Sequence, residues 1–194
     1  RVRERLLPLA HGGVLSDREH SELLLHTAGV ANNLYRRSLI EEAGLRFPEG
    51  LSYEDNAFVK LVTLYVERYA YLPEAYYCYY GNPQSTTQQL NSEHQFDRLE
   101  VEDLKLREFE ARRFRERYRD AIDFDFLRLY YLNSLGIFFR RDEIPWARIR
   151  AMREHVHETI PDIRKNPYFK TELRRVEKLK YWLSDHALPL LALL

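Results

Sequence analysis

The chain has 194 residues, with 30 Lys or Arg against 30 Asp or Glu, so its formal net charge is zero and no global field draws it to nucleic acid. A single cysteine, Cys78, excludes an internal disulfide and a cysteine-rich metal site. A chain of this length suffices for one domain with a core, or for a small core with a helical appendix, and the longest apolar run, Ala187 to Leu194, is too short to span a bilayer.

In chain order, Arg1 to His20 reads as irregular, with Gly12-Gly13 as a flexible point. The apolar run that starts at Leu23-Leu24-Leu25 and reaches Leu34 is expected to include a strand, broken at Gly29. Ser38 to Ala43 is predicted as a short helix, with Ser38-Leu39-Ile40-Glu41 as a capping box and Gly44 as its stop. Pro48 and Gly50 then break the chain, and Glu54 to Glu67 is predicted as a helix with Phe58, Leu61, Leu64 and Tyr65 on one face. Tyr69 to Leu72 and Tyr76 to Tyr80 read as strands with Pro73 between them, and Cys78 as a buried small hydrophobe within the second. Gly81 to Ser85 is a turn. Beyond Ser92 the predicted elements are all helices: Glu93 to Arg119, Asp123 to Arg140, Pro145 to Glu158, and Pro167 to Asp185. The fold class expected is α+β, a short sheet with helices over residues 1–89 followed by a mostly helical extension over 90–194.

The residues that point to chemistry are Ser52-Tyr53-Glu54-Asp55, a turn that delivers two adjacent carboxylates to a helix start. The helix dipole favours their ionised form, and an ionised carboxylate held at an element terminus is what a general base requires. The same four residues fit a capping box, with Ser52 as N-cap and Asp55 reaching back to the Ser52 amide. Both readings stand, since Glu54 can serve the dipole while Asp55 faces a cleft. The 14 tyrosines fit a packed core, and equally a cleft where rings stack on sugars.

The ordered set of pieces around that pair resembles the second half of the bacterial family 2 glycosyltransferases, inverting enzymes of the GT-A fold that build surface polysaccharides. The run from Asn33-Leu34-Tyr35-Arg36-Arg37 through Phe47-Pro48-Glu49-Gly50, the acidic pair Glu54-Asp55, the aromatic Tyr77-Cys78-Tyr79 and the hydroxyl loop Ser85-Thr86-Thr87 carry the likeness. It implies that Asp55 is the catalytic base, and that Glu54, Tyr53, Tyr79, Ser85 and Thr86 lie on the acceptor side. It also implies a nucleotide-sugar donor, a saccharide or lipid-linked acceptor, and a divalent metal, Mg or Mn. The residues before Glu54 contain no βαβ pattern, glycine-rich phosphate loop or DxD motif, and the chain starts at Arg1. The expectation is therefore the back half of such an enzyme, with the donor and metal ligands outside this chain and no activity on its own. The alternative is a non-catalytic helical module that docks to a membrane or a partner. The expected location is the cytoplasm, peripheral at the inner membrane face.

Three other motifs invite readings. Asp123-Phe124-Asp125 spells DxD but leads into a helix, where aspartates serve the dipole. His155 and His157 sit two apart on a helix and point about 200° from each other, so they cannot share an ion. The basic run Arg112 to Arg119 is interrupted and flanked by Glu108, Glu110, Glu116 and Asp120, which reads as a solvated, self-paired face rather than a nucleic-acid surface. The last helix differs. Lys170, Arg174 and Lys178 form a basic row beside Phe169, Leu173, Val176 and Leu183, with Tyr181-Trp182 at its end, a pattern that makes residues 167–194 a candidate membrane-surface element.

Overall fold

The computed structural model describes every residue except Arg1, Ala28, Pro83 and Leu194. Among the described residues there are helices and turns but no strand. The first long helix follows from a local signal. Ser16 accepts from the Glu19 amide while its own amide donates to Glu19 Oε2 at 2.8 Å, a complete capping box that starts α2 (Asp17–His26). Before it lie α1 (Val2–Leu6) and a 3-10 turn (Leu7–Leu9). Leu23, Leu24 and Leu25 are all buried because α2 is enclosed on two sides. Leu23 joins a small cluster with Leu6, Leu9 and Leu15, while Leu24 and Leu25 join the main core.

The short α3 (Arg37–Glu42) ends as expected at Gly44, whose φ of +61° a glycine adopts without strain. The capping box expected at Ser38 is absent. The helix starts one residue earlier, and Glu41 pairs with Arg37 at 2.7 Å. Next comes α4 (Glu54–Thr63), where every residue from Ala57 to Thr63 is buried, so it is a core helix rather than an amphipathic one. It packs between α2 and α5 (Asp97–Ala111). After α6 (Phe114–Arg117), one helical rod runs through the centre: α7 (Arg119–Phe126), a π-helical stretch (Leu127–Asn133) and α8 (Ser134–Phe138). Against this rod pack α2, α5, α9 (Trp146–Thr159), α10 (Pro167–Thr171) and α11 (Arg175–His186). One hydrophobic cluster combines Leu24, Phe58 and Val62 with Phe109, Ile122 and Phe138, across residue 89.

The α+β expectation is overturned: the described residues form an all-helical fold with no sheet. Of the stretch from Leu23 to Leu34 expected to include a strand, the leucine triplet lies in α2, because the upstream cap decides between two readings of an ambiguous apolar run, and the described residues after His26 are turns and irregular chain. Tyr69 to Leu72 and Tyr76 to Tyr80 are irregular. Tyr76, Tyr77, Tyr79 and Tyr80 are exposed, and no described hydrogen bond satisfies that run, so its strand-like composition has no ladder to join. Cys78 is exposed, not buried. The helix expected over Glu93 to Arg119 is divided by Arg113, whose φ is +61°. The one expected over Pro167 to Asp185 is broken between Thr171 and Arg175, where Leu173 turns into the core.

Candidate functional site

The acidic pair sits at the start of α4 in a backbone that is held, not merely capped. Tyr53 is the N-cap residue, and its φ of +70° is a left-handed conformation that a bulky side chain seldom adopts. Its ring explains the hold. The Tyr53 hydroxyl donates to Gln95 Oε1 at 2.7 Å, and the Arg98 guanidinium lies over the ring, 4.3 Å from its centroid. The Ser52 amide donates to Asp97 Oδ2 at 3.0 Å. Ser52 is therefore not the N-cap, and the capping box expected between Ser52 and Asp55 does not form. Glu54 and Asp55 instead occupy the first two helical positions.

That placement leaves Asp55 chemically distinct. It is half-buried, and burial, with the adjacent Glu54, raises its pKa above the usual aspartate value. Backbone amides at Asp55 and Asn56 oppose the shift without cancelling it. Neither Glu54 nor Asp55 has an ion-pair partner among the described residues. Tyr35 is beside the pair: its hydroxyl is buried with no hydrogen bond of ordinary geometry, and its ionisation is pushed up to about 12, first by burial and also by Asp55. Tyr35 packs edge-on to Phe58 (5.9 Å between centroids) and Phe47 stacks on the same ring (4.1 Å). The conspicuous aromatic residues of the segment between Asn33 and Gly50 thus meet one turn below Asp55.

Gln95 is the residue that sequence reasoning missed. Fully buried, it accepts from Tyr53 and Arg98 and donates from Nε2 to the Gln89 carbonyl at 3.1 Å. Gln89 in turn donates to the Gln84 carbonyl, so one hydrogen-bonded path links Tyr53 to the loop that carries Ser85. A lone Gln at a 3-10 turn carries no motif, and only its burial reveals the role. Within that loop Ser85 Oγ lies 3.0 Å from Thr87 Oγ1; the side chain of Thr86 lies outside the described residues. Tyr79 is 80% exposed, and no described hydrogen bond connects Tyr79 or Ser85 directly to the acidic pair. Two surface clefts lie nearby, of about 400 Å³ beside Arg98 and about 510 Å³ beside Asp97 and Arg107, but neither is lined by Glu54 or Asp55.

The other sequence candidates are committed to internal partners. Asp125 is enclosed: Lys105 Nζ lies 2.7 Å from it, Lys60 Nζ 3.4 Å, and Arg128 Nη2 3.4 Å. Burial works to raise its pKa, but these three cations outweigh burial and hold the carboxyl well below the usual range. Lys60 also donates to the Leu24 and Thr27 carbonyls, and Glu102 bonds Lys105 from the other side. Asp123 faces Arg115 at 2.8 Å and Arg119 at 3.6 Å. The two DxD carboxylates are saturated by protein cations, so they do not fit a divalent metal. His155 pairs with Asp103 and His157 with Asp185, each at 2.8 Å on separate helices. In the basic run, Arg112 holds the Ala43 carbonyl and Tyr65, Arg115 holds Asp123 and the Thr159 carbonyl, and Arg117 pairs with Asp17.

Comparison with family models, with curated proteins and with solved structures gives no match to this chain. Among the described residues, no helix is long and apolar enough to cross a membrane.

Proposed function

We propose that the chain contributes the proton acceptor and the acceptor-side surface of a sugar transfer from a nucleotide-sugar donor to a saccharide or lipid-linked acceptor, with inversion. The observation that carries this reading is Asp55: half-buried, with a raised pKa and no cation beside it, on a backbone fixed by Tyr53 and Gln95. A carboxylate whose basicity is increased by burial accepts a proton from an attacking hydroxyl more readily than a solvated one. Saturated pairing would remove that capacity, and Asp55 lacks it. Glu54 sustains the local negative potential, and Tyr53, with Arg98 over its ring, holds the backbone that presents the pair. The donor and the divalent ion are held by another polypeptide segment, because this chain's DxD carboxylates are already neutralised. The reading places the work in the cytoplasm, at the inner membrane face.

The test uses a polypeptide that joins this chain to a nucleotide-sugar-binding segment. Transfer from UDP- and GDP-sugars is measured for the parent and for Asp55→Asn. Removing a general base costs about 10²–10⁴ in rate, so turnover is expected to fall by at least about a hundredfold with melting preserved. Near-parental turnover in Asp55→Asn would remove Asp55 from the role and with it the reading.

A further inference from the structure

We propose that the outer face of α11 docks on an anionic lipid surface. The inference does not depend on the transferase reading, since a chain with no transfer activity would carry the same face. The helix buries Tyr181 and Ser184, with Leu188 following in the next turn, and turns Val176, Leu179 and Trp182 outward, 44%, 45% and 49% exposed. These three are spaced i, i+3, i+6 and form one ridge. Leu190, 50% exposed, lies beyond the helix end in the same direction along the chain. Such a ridge is unusual on a helix whose opposite face already fills a core.

Charge identifies the occupant. Both acids inside α11 are already engaged, Glu177 with Arg174 at 3.1 Å, and Asp185 with Arg164 at 2.5 Å and His157 at 2.8 Å. Arg175, Lys178 and Lys180 have no acidic partner among the described residues; Lys178 donates only to the Lys170 carbonyl. At 3.6 residues per turn, Lys178 and Lys180 lie about 100° to either side of Leu179. Lysines on both flanks of an apolar ridge can reach up to phosphates while the ridge enters the acyl boundary, and Trp182 is the side chain that prefers that boundary. A protein groove would require acidic walls on two opposed sides of a ridge one residue wide, whereas an anionic membrane provides them everywhere. With 12 residues, α11 lies on such a surface and does not cross it.

The basic row that appears continuous in the sequence is not the active feature. Lys170 belongs to α10, on the other side of the break at Leu173, and the Arg174 charge is taken by Glu177. The docking cations are the three on α11 that keep their charge unpaired.

The experiment is cosedimentation of the full chain with vesicles of phosphatidylcholine, with and without phosphatidylglycerol. The intact chain is expected to pellet with the anionic vesicles, to do so less in high salt, and to remain largely soluble with pure phosphatidylcholine. Leu179→Glu and Arg175→Glu are each expected to weaken binding about tenfold or more. Arg68→Glu makes the same net-charge change away from α11, at an exposed arginine without a partner, and is expected to leave binding within about twofold of the parent. Thermal melting of each variant confirms that it is folded. Absence of pelleting with anionic vesicles, equal pelleting of all variants, or an equal loss in Arg68→Glu would overturn the proposal. So would a concentration-dependent dimer that Leu179→Glu abolishes while vesicles bind nothing, which would make a second copy the occupant.

Discussion

Asp125 and Asp55 are the same residue type in two low-dielectric settings, and the protein treats them in opposite ways. Asp125 is fully enclosed, yet three cations hold its pKa far down. Asp55 is only half-buried, yet with Glu54 beside it and no cation its pKa rises. Between these two carboxyls, depth of burial therefore does not set the order of the pKa values; the three cations around Asp125 do, whereas at Asp123, with Arg115 and Arg119 as partners, burial still prevails and the pKa is raised. The paired carboxylate ties α4, α5 and α7 together through Lys60 and Lys105. The unpaired one retains a chemical capacity that the fold has not used. For the same reason the DxD spelling in α7 is scaffold, and the less conspicuous aspartate at the start of α4 is the candidate for chemistry.

The largest expected effect comes from breaking the paired side. Asp125→Asn leaves Lys60 and Lys105 buried with Glu102 as the only carboxylate, and removing one partner of such a cluster costs about 3–5 kcal/mol. Urea titration is the measurement, and a loss below about 1 kcal/mol would mean that the cluster reorganises. The pH sign follows from linkage. Because the folded pKa of Asp125 is depressed, its contribution is present above the ordinary aspartate pKa of 3.8 and lost as pH falls through the folded value. The parent is thus expected to lose stability on acidification, with a shallower acid limb in Asp125→Asn.

A smaller effect separates the two serines. Ser16→Ala removes an N-cap that forms a complete box with Glu19, and is expected to cost about 1 kcal/mol by thermal melting. Ser52→Ala is expected to cost less than half of that, about 0.5 kcal/mol at most, because the larger part of the Ser52 hold on Asp97 is its backbone amide, which alanine retains, and only the weaker hydroxyl interaction is lost. Equal losses would reinstate Ser52 as a cap.

The smallest effect sharpens the unpaired side. Asp55→Asn is expected to leave stability at pH 7 unchanged within about 0.5 kcal/mol, or slightly higher. An acid whose folded pKa is raised favours folding at low pH, and that contribution is lost as pH rises through the folded value. Any advantage of Asp55→Asn over the parent should therefore shrink as pH is lowered through this range. A clear loss at pH 7 with no pH dependence would assign Asp55 a structural bond.

Much of this was legible locally. Gly44 stops α3, and α10 opens at Pro167, the expected helix start, with Asn166 Oδ1 accepting the Tyr168 amide at 2.9 Å. The second half is helical as its apolar spacing suggests, but two of the four expected helices are divided, at Arg113 and between Thr171 and Arg175. The acidic pair, too, stood out at its helix start. What could not be read is what distance in sequence hides. Lys60, Lys105 and Asp125 carry no shared motif, and their cluster exists only once three helices meet. Leu23 to Leu25 suits a strand or an enclosed helix equally, and the tyrosines of 76–80 have strand composition without a neighbouring strand. The break at Leu173 follows from one side chain entering the core, which helical spacing alone does not reveal.

The exposed run around Cys78 has a practical consequence. With one cysteine in the chain, and that one exposed between Tyr77 and Tyr79, a maleimide dye labels a single known position without any engineered residue. The alkylation rate of that thiol then serves as a footprint. It slows when anything covers residues 76–80, and a dye at that position reports proximity to a binding partner by energy transfer.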